Sequence, residues 1–155
     1  DAADRFVELL DVRGSIERCV FSSAAPGAAK DRQGIQLLDS RILLRGCSFL
    51  QLPFTALGMR HLGQLLVLGS SFNGNATAIR AADGSKVDVD GSSFTGNGKV
   101  FVLRADNPVL GGAGLTVHSN TLAGNGQERD LDASSTADST LQVAPRVMGA
   151  FIPRP

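Results

Sequence analysis

The sequence has no tryptophan, no tyrosine, two cysteines and two histidines, and its formal net charge is +0. Each shortage excludes something. The large aromatic side chains that most often anchor binding surfaces are missing, apart from 8 phenylalanines. Two cysteines cannot build a disulfide framework, and no Cys/His metal spacing is present, so neither a metal nor a cofactor is expected. Balanced charge with a pI near 6.9 provides no basic field to draw nucleic acid or an acidic membrane. No apolar run approaches the ~20 residues of a membrane span. There is no nucleophile elbow and no phosphate-binding glycine motif, since Gly111-Gly112-Ala113-Gly114 leads into a strand-like segment instead of following one. Helical periodicity is absent, and only Ala2 to Leu10 could form a short helical turn. The chain begins at Asp1, shows no signal peptide and fits one domain over 1–155, which reads as a mature or excised segment of a larger protein.

What the chain has in quantity is glycine, 18 residues, and a repeat. Residues 69–75 read Gly-Ser-Ser-Phe-Asn-Gly-Asn, and residues 91–97 repeat them with Thr95 in place of Asn73. A fixed offset of this size marks a stacked-repeat architecture. With the phenylalanine as a ruler, equivalent positions are Phe21, Phe49, Phe72, Phe94 and Leu122. Five residues before each stand Ile16, Leu44, Val67, Val89 and Val117. Seven before stand Gly14, Ile42, Leu65, Val87 and Leu115. That alternation predicts half-buried strands with these side chains inward. The residues between point outward: Ser15 and Glu17, Leu43 and Arg45, Leu66 and Leu68, Asp88 and Asp90, Thr116 and His118. Two residues before the ruler lie Cys19, Cys47, Ser70, Ser92 and Asn120, a set of short side chains that can stack inside a bend. Gly74-Asn75, Gly96-Asn97 and Gly124-Asn125 follow the ruler as turns of positive φ. A second strand precedes most copies, over 7–10, 35–38, 57–59, 78–81 and 100–103, and a last one starts near Thr140. Variable loops are expected at 24–32, 106–113 and 130–139.

One turn of chain per 22 to 28 residues, with Gly/Asn corners, describes a β-solenoid. The pattern Val87 to Asn97, repeated at Leu65 to Asn75 and Leu115 to Asn125, resembles the right-handed parallel β-helix repeat family, the pectate-lyase-like group. The resemblance covers about residues 7–143 and implies an all-β, right-handed parallel β-helix of five to six short coils. A small β-sandwich is the alternative fold. The resemblance also implies an extracellular or cell-envelope location. It leaves function open, because that family spans polysaccharide lyases, hydrolases, epimerases, tailspikes and structural modules.

In the polysaccharide-active members, catalytic groups project from the outward strand face. Here that face offers Asp88, Asp90 and His118 on neighbouring coils, which could carry acid–base chemistry or hold Ca²⁺. Against this, Leu43, Leu66 and Leu68 interrupt the columns, and Arg45 and Arg104 are few cations for a uronate lyase. The favoured reading is a non-catalytic structural or binding module with carbohydrate or protein partners. The alternatives are a polysaccharide lyase, hydrolase or epimerase at Asp88, Asp90 and His118, and an assembly protein that forms homo-oligomers through a patch of Leu43, Leu66, Leu68 and Arg45, or through its coil ends. The blander and favoured explanation of the patch itself is a loop or the C-terminal tail, such as Val147 to Ile152, folded across it. Residues 1–6 and 144–155 are expected to cap the two ends. Asn75-Ala76-Thr77 is a glycosylation sequon whose Asn the turn already explains. His61 reads as a structural corner residue. Cys19 and Cys47 are expected one above the other as free thiols, with a disulfide as the alternative.

Overall fold

The computed structural model describes residues 5–23, 32–131 and 141–143. The first coil comprises β1 (Arg5–Leu10), β2 (Arg13–Glu17) and β3 (Val20–Ser22), and the second β4 (Gln33–Leu38), β5 (Arg41–Arg45) and β6 (Ser48–Leu50). The third holds β7 (Thr55–Arg60), β8 (Gln64–Leu68) and β9 (Ser71–Asn73), and the fourth β10 (Thr77–Ala82), β11 (Lys86–Asp90) and β12 (Ser93–Thr95). The fifth holds β13 (Lys99–Arg104), β14 (Gly114–His118) and β15 (Thr121–Ala123), and β16 (Gln127–Leu131) with β17 (Leu141–Val143) opens a sixth. Equivalent strands stack into three sheets, β1-β4-β7-β10-β13-β16, β2-β5-β8-β11-β14-β17 and β3-β6-β9-β12-β15. Every pairing is parallel. The protein is an all-β, three-sided parallel β-solenoid, with no helix among the described residues.

The phenylalanine ruler sets the register of the third sheet, where Phe21, Phe49, Phe72, Phe94 and Leu122 are successive partners. Phe49, Phe72 and Phe94 are fully buried, while Phe21 and Leu122 on the end coils are half-buried. Ring centroids along the stack lie 4.9, 4.7 and 4.9 Å apart, with interplanar angles of 12°, 3° and 6°. That separation is the strand spacing itself, so each ring fills the coil-to-coil gap of its neighbour. The inward aliphatics of the second sheet, among them Ile42, Leu44, Leu65, Val67, Val87 and Val89, close the core from another side.

Two polar ladders hold the corners. Between the second and third sheets, the Cys47 N–H donates to Ser70 Oγ, the Ser70 N–H to Ser92 Oγ and the Ser92 N–H to Asn120 Oδ1, at 3.2, 3.1 and 2.8 Å. Between the third and first sheets, the Leu52, Asn75 and Asn97 N–H groups donate to Oδ1 of Asn75, Asn97 and Asn125 at 3.0, 3.0 and 2.9 Å. Each asparagine Nδ2 in turn donates to a carbonyl of the preceding coil, that of Phe49, Phe72 or Phe94. A buried corner thus leaves few backbone groups without a partner. The Gly-Asn pairs divide their work. Gly74, Gly96 and Gly124 take the left-handed conformation, at φ of 68°, 62° and 61°, whereas the asparagines do not and serve as ladder rungs. In the second coil, which has neither residue, Gln51 takes the left-handed position at φ 53° and Leu52 replaces the rung.

The structure corrects several expectations. Residues Arg5 to Leu10 are strand β1 and not a helical turn, because Val7 and Leu9 pair in register with Ile35 and Leu37. For the same reason Arg5 and Phe6 belong to the ladder and do not cap the end, and residues 1–4 and 144–155, the rest of both proposed caps, lie outside the described residues, as does the tail 147–152. Loop 130–139 starts later than expected, since Asp130 and Leu131 close β16, and 132–139 lie outside the described residues with 24–31.

Strand β16, Gln-Glu-Arg-Asp-Leu, is held partly by charge. Asp130 accepts from Lys99 at 2.5 Å and pairs with Arg104 at 2.8 Å, both on β13. The Lys99 and then the Arg104 hydrogen bonds hold its carboxyl below the usual value of 3.8. A pKa lowered on folding adds stability above 3.8 that is lost as pH falls through the folded value. We expect the amides of β16 to lose hydrogen-exchange protection in acid before those of β10, and Asp130→Asn to abolish that step. Uniform loss across both strands would contradict the ion pairs' role.

Cys19 and Cys47 occupy the same ladder position on consecutive coils, and both are free. Their thiols turn to backbone carbonyls, Cys19 to Glu17 O at 3.4 Å and Cys47 to Ile16 O at 3.4 Å. Burial pushes the Cys47 thiol above its usual value, with the backbone of Cys19 pulling the other way. Thiol labelling of denatured, unreduced protein should find two free thiols, and in the native state half-buried Cys19 should react well before buried Cys47. Absence of label in the denatured protein would reveal a disulfide.

Candidate functional site

The strands of the second sheet alternate, so their odd members face outward in three columns set by the register. The first column is Arg13, Arg41, Gln64, Lys86 and Gly114, the second Ser15, Leu43, Leu66, Asp88 and Thr116, and the third Glu17, Arg45, Leu68, Asp90 and His118. The second and third columns are legible from the repeat. The first is a correction: Arg13, Arg41 and Lys86 supply the line of cations that the sequence reading found missing. The signal was available, since the same alternation places an outward residue eight positions before each ruler residue.

A groove of about 730 Å³ runs over the first two columns. Leu43 and Leu66 form its apolar floor, Arg41, Gln64 and Lys86 line one edge, and Asp88 and Thr116 lie at its far end. Gly84 and Gly112, from the corner between the first and second sheets, wall it on one side only. Leu43, Leu66 and Leu68 are each half-buried.

The structure divides the sequence-predicted acid–base residues. Asp90 and His118 are register partners on neighbouring strands, yet neither lines the groove. Asp88 lines it, opposite Leu66 on one side and Thr116 on the other. Its Oδ1 is buried and has no hydrogen-bond partner among the described residues. Arg45 and Leu68 fall in the third column, outside the groove. Among the described residues no three His, Cys, Asp or Glu side chains converge into a metal-ligand set.

The corner beside the groove is built from charge. His61 stands between Asp39 and Asp83 of the flanking coils, Nδ1 and Nε2 each 3.9 Å from a carboxylate oxygen. Asp83 Oδ1 accepts from the Asn107 N–H at 2.7 Å, and Asp106 pairs with Arg60 at 3.3 Å and Arg80 at 3.1 Å. These contacts fasten the insertion between β13 and β14 onto coils three and four, so Gly112 reaches the groove wall. Asn75 of the sequon is 1% exposed and its amide is spent in the ladder, so a glycan on Nδ2 is incompatible with this fold.

Compared with known proteins, the chain matches no family model and no curated sequence.

Proposed function

We propose that the protein is a non-catalytic module that holds an extended acidic ligand, carbohydrate in class, along the outer face of its second sheet. One observation carries this reading: the groove combines the cationic edge of Arg41 and Lys86 with an aliphatic floor, while Asp90 and His118 stand outside it. Hydrolysing a glycosidic bond takes a pair of acid–base groups flanking it. The groove has Asp88 alone, between a leucine and a threonine. Without tryptophan or tyrosine anywhere in the chain, stacking on sugar rings is poorly served, and recognition falls to charge. Arginine suits it, since its guanidinium meets a carboxylate through two parallel hydrogen bonds. The resemblance to polysaccharide-active β-helices, and the extracellular setting it implies, agree with this ligand class.

Titration with a uronate oligomer and with a neutral oligomer of equal length tests the proposal. The acidic ligand should bind and the neutral one should not. The double variant Arg41→Glu/Lys86→Glu should weaken binding by roughly tenfold or more, and added salt should weaken it further. Equal binding of the neutral ligand, or an unaffected double variant, would refute it. The adjacency of Asp90 and His118 favours a second reading, acid–base cleavage on the third column, which predicts product formation abolished in His118→Ala.

A further inference from the structure

The geometry points to a dimer in which two copies of this chain join through β2, antiparallel about a two-fold axis at Ser15. Strand β2 is the edge of its sheet, and all its residues are exposed except half-buried Ile16. The Arg41 N–H donates to Val12 O at 2.8 Å and the Arg18 N–H donates to Arg45 O at 2.9 Å. The even-numbered backbone groups of β2 therefore face β5, and by strand alternation Arg13, Ser15 and Glu17 turn their N–H and C=O to the open edge. An edge left unpaired among the described residues is a template for another strand.

The side chains select which strand. Read outward, β2 is Arg13, Ser15, Glu17, a charge pattern that is its own complement when reversed. Antiparallel pairing centred on Ser15 sets Arg13 opposite the partner copy's glutamate and Glu17 opposite its arginine, with reciprocal hydrogen bonds at all three positions. Within its own sheet Arg13 stands beside Arg41, a like charge, so the acid across the edge is its better neighbour. The inward side agrees. Gly14 stands where the other coils carry Ile42, Leu65, Val87 and Leu115, and a Cβ added there would meet nothing within 4 Å. In the same pairing the partner's isoleucine lies opposite Gly14 and fills that space. Beside it the core opens in a cavity of about 630 Å³ lined by Val7, Leu9, Val12, Ile16 and Phe21, and Val20 at its rim is 67% exposed. The two-fold lays each open end on the other, covering apolar surface that a lone coil leaves wet.

Head-to-tail stacking fits less well. The ladder runs one way, each coil's N–H taking an oxygen from the next coil's Ser or Asn. At that position the first coil has Cys19, whose thiol offers the last coil of another copy only a weak acceptor. The isologous arrangement needs no such acceptor and closes after two copies.

Sedimentation equilibrium of the wild type and two single variants tests this. The wild type should show twice the chain mass. Arg13→Glu and Glu17→Arg each place like charges opposite and should weaken association by roughly tenfold or more. Mixing the two variants restores both opposite-charge pairs and should return a heterodimer, as should the double variant Arg13→Glu/Glu17→Arg with itself. Because rescue requires folded chains, it separates lost pairing from lost fold. A wild type that stays monomeric at every concentration, a dimer untouched by either single change, or variants that fail to rescue one another would each overturn the arrangement.

Discussion

Replacing Asn97 by alanine should destabilise the protein by about 3–5 kcal/mol, because a buried backbone N–H loses its acceptor, at ~1–3 kcal/mol unsatisfied, and the other buried hydrogen bonds of the Asn97 amide, worth ~0.5–1.5 kcal/mol each, go with it. The Asn75 N–H loses its acceptor, while the Phe72 carbonyl loses the Asn97 amide and keeps the ladder bond from β12. Asn97 is 1% exposed, so water cannot take over either role without opening the coil. Asn125→Ala removes the same two kinds of bond one coil further on. Asn125 is half-buried, water reaches it, and the cost there should be smaller. Urea unfolding of both variants gives the comparison. Equal losses at the two positions would mean that side-chain volume, and not the ladder, sets the cost.

Phe72→Ala is expected to cost about 3–5 kcal/mol as a large-to-small change in a close-packed core. The ring is fully buried between Phe49 at 4.7 Å and Phe94 at 4.9 Å, so its loss leaves a cavity between two aromatic faces that the strand spacing prevents from collapsing. Phe21→Ala removes the same ring from the half-buried end of the stack, where solvent already reaches, and should cost less. Phe72→Leu should be milder than alanine, since Leu122 fills the same column on the fifth coil. A loss at Phe21 as large as at Phe72 would contradict the burial of the stack's middle.

The second of these effects rests on the part of the fold that was legible in the sequence alone. The ruler from Phe21 to Leu122, and the inward pairs such as Val87 and Val89, recur at one spacing because every coil must present the same atoms to its neighbour. Elements whose strand state comes from a neighbour were harder to read. Gln127–Leu131 lacks an apolar alternation, and it becomes a strand because β13 offers it a ladder edge and because Lys99 and Arg104 hold Asp130. Val7 and Leu9 suit a short helix as well as a strand until Ile35 and Leu37 appear beside them. The asparagine rungs were hidden behind the turn chemistry of the glycines before them. The site was legible by column and not by depth. Register placed Asp90 next to His118, but only the fold of the 105–113 insertion, pinned by Asp83 and Asp106, decides that the groove lies over Leu66 and Lys86.

Chain-length analysis of a uronate oligomer incubated with the protein, in the same mixture used to measure binding, tests the functional account most directly. The account predicts that the oligomer binds, that its length distribution is unchanged, and that binding falls in Arg41→Glu/Lys86→Glu. Shortened products that disappear in His118→Ala or Asp90→Asn, or no binding at all, would contradict it.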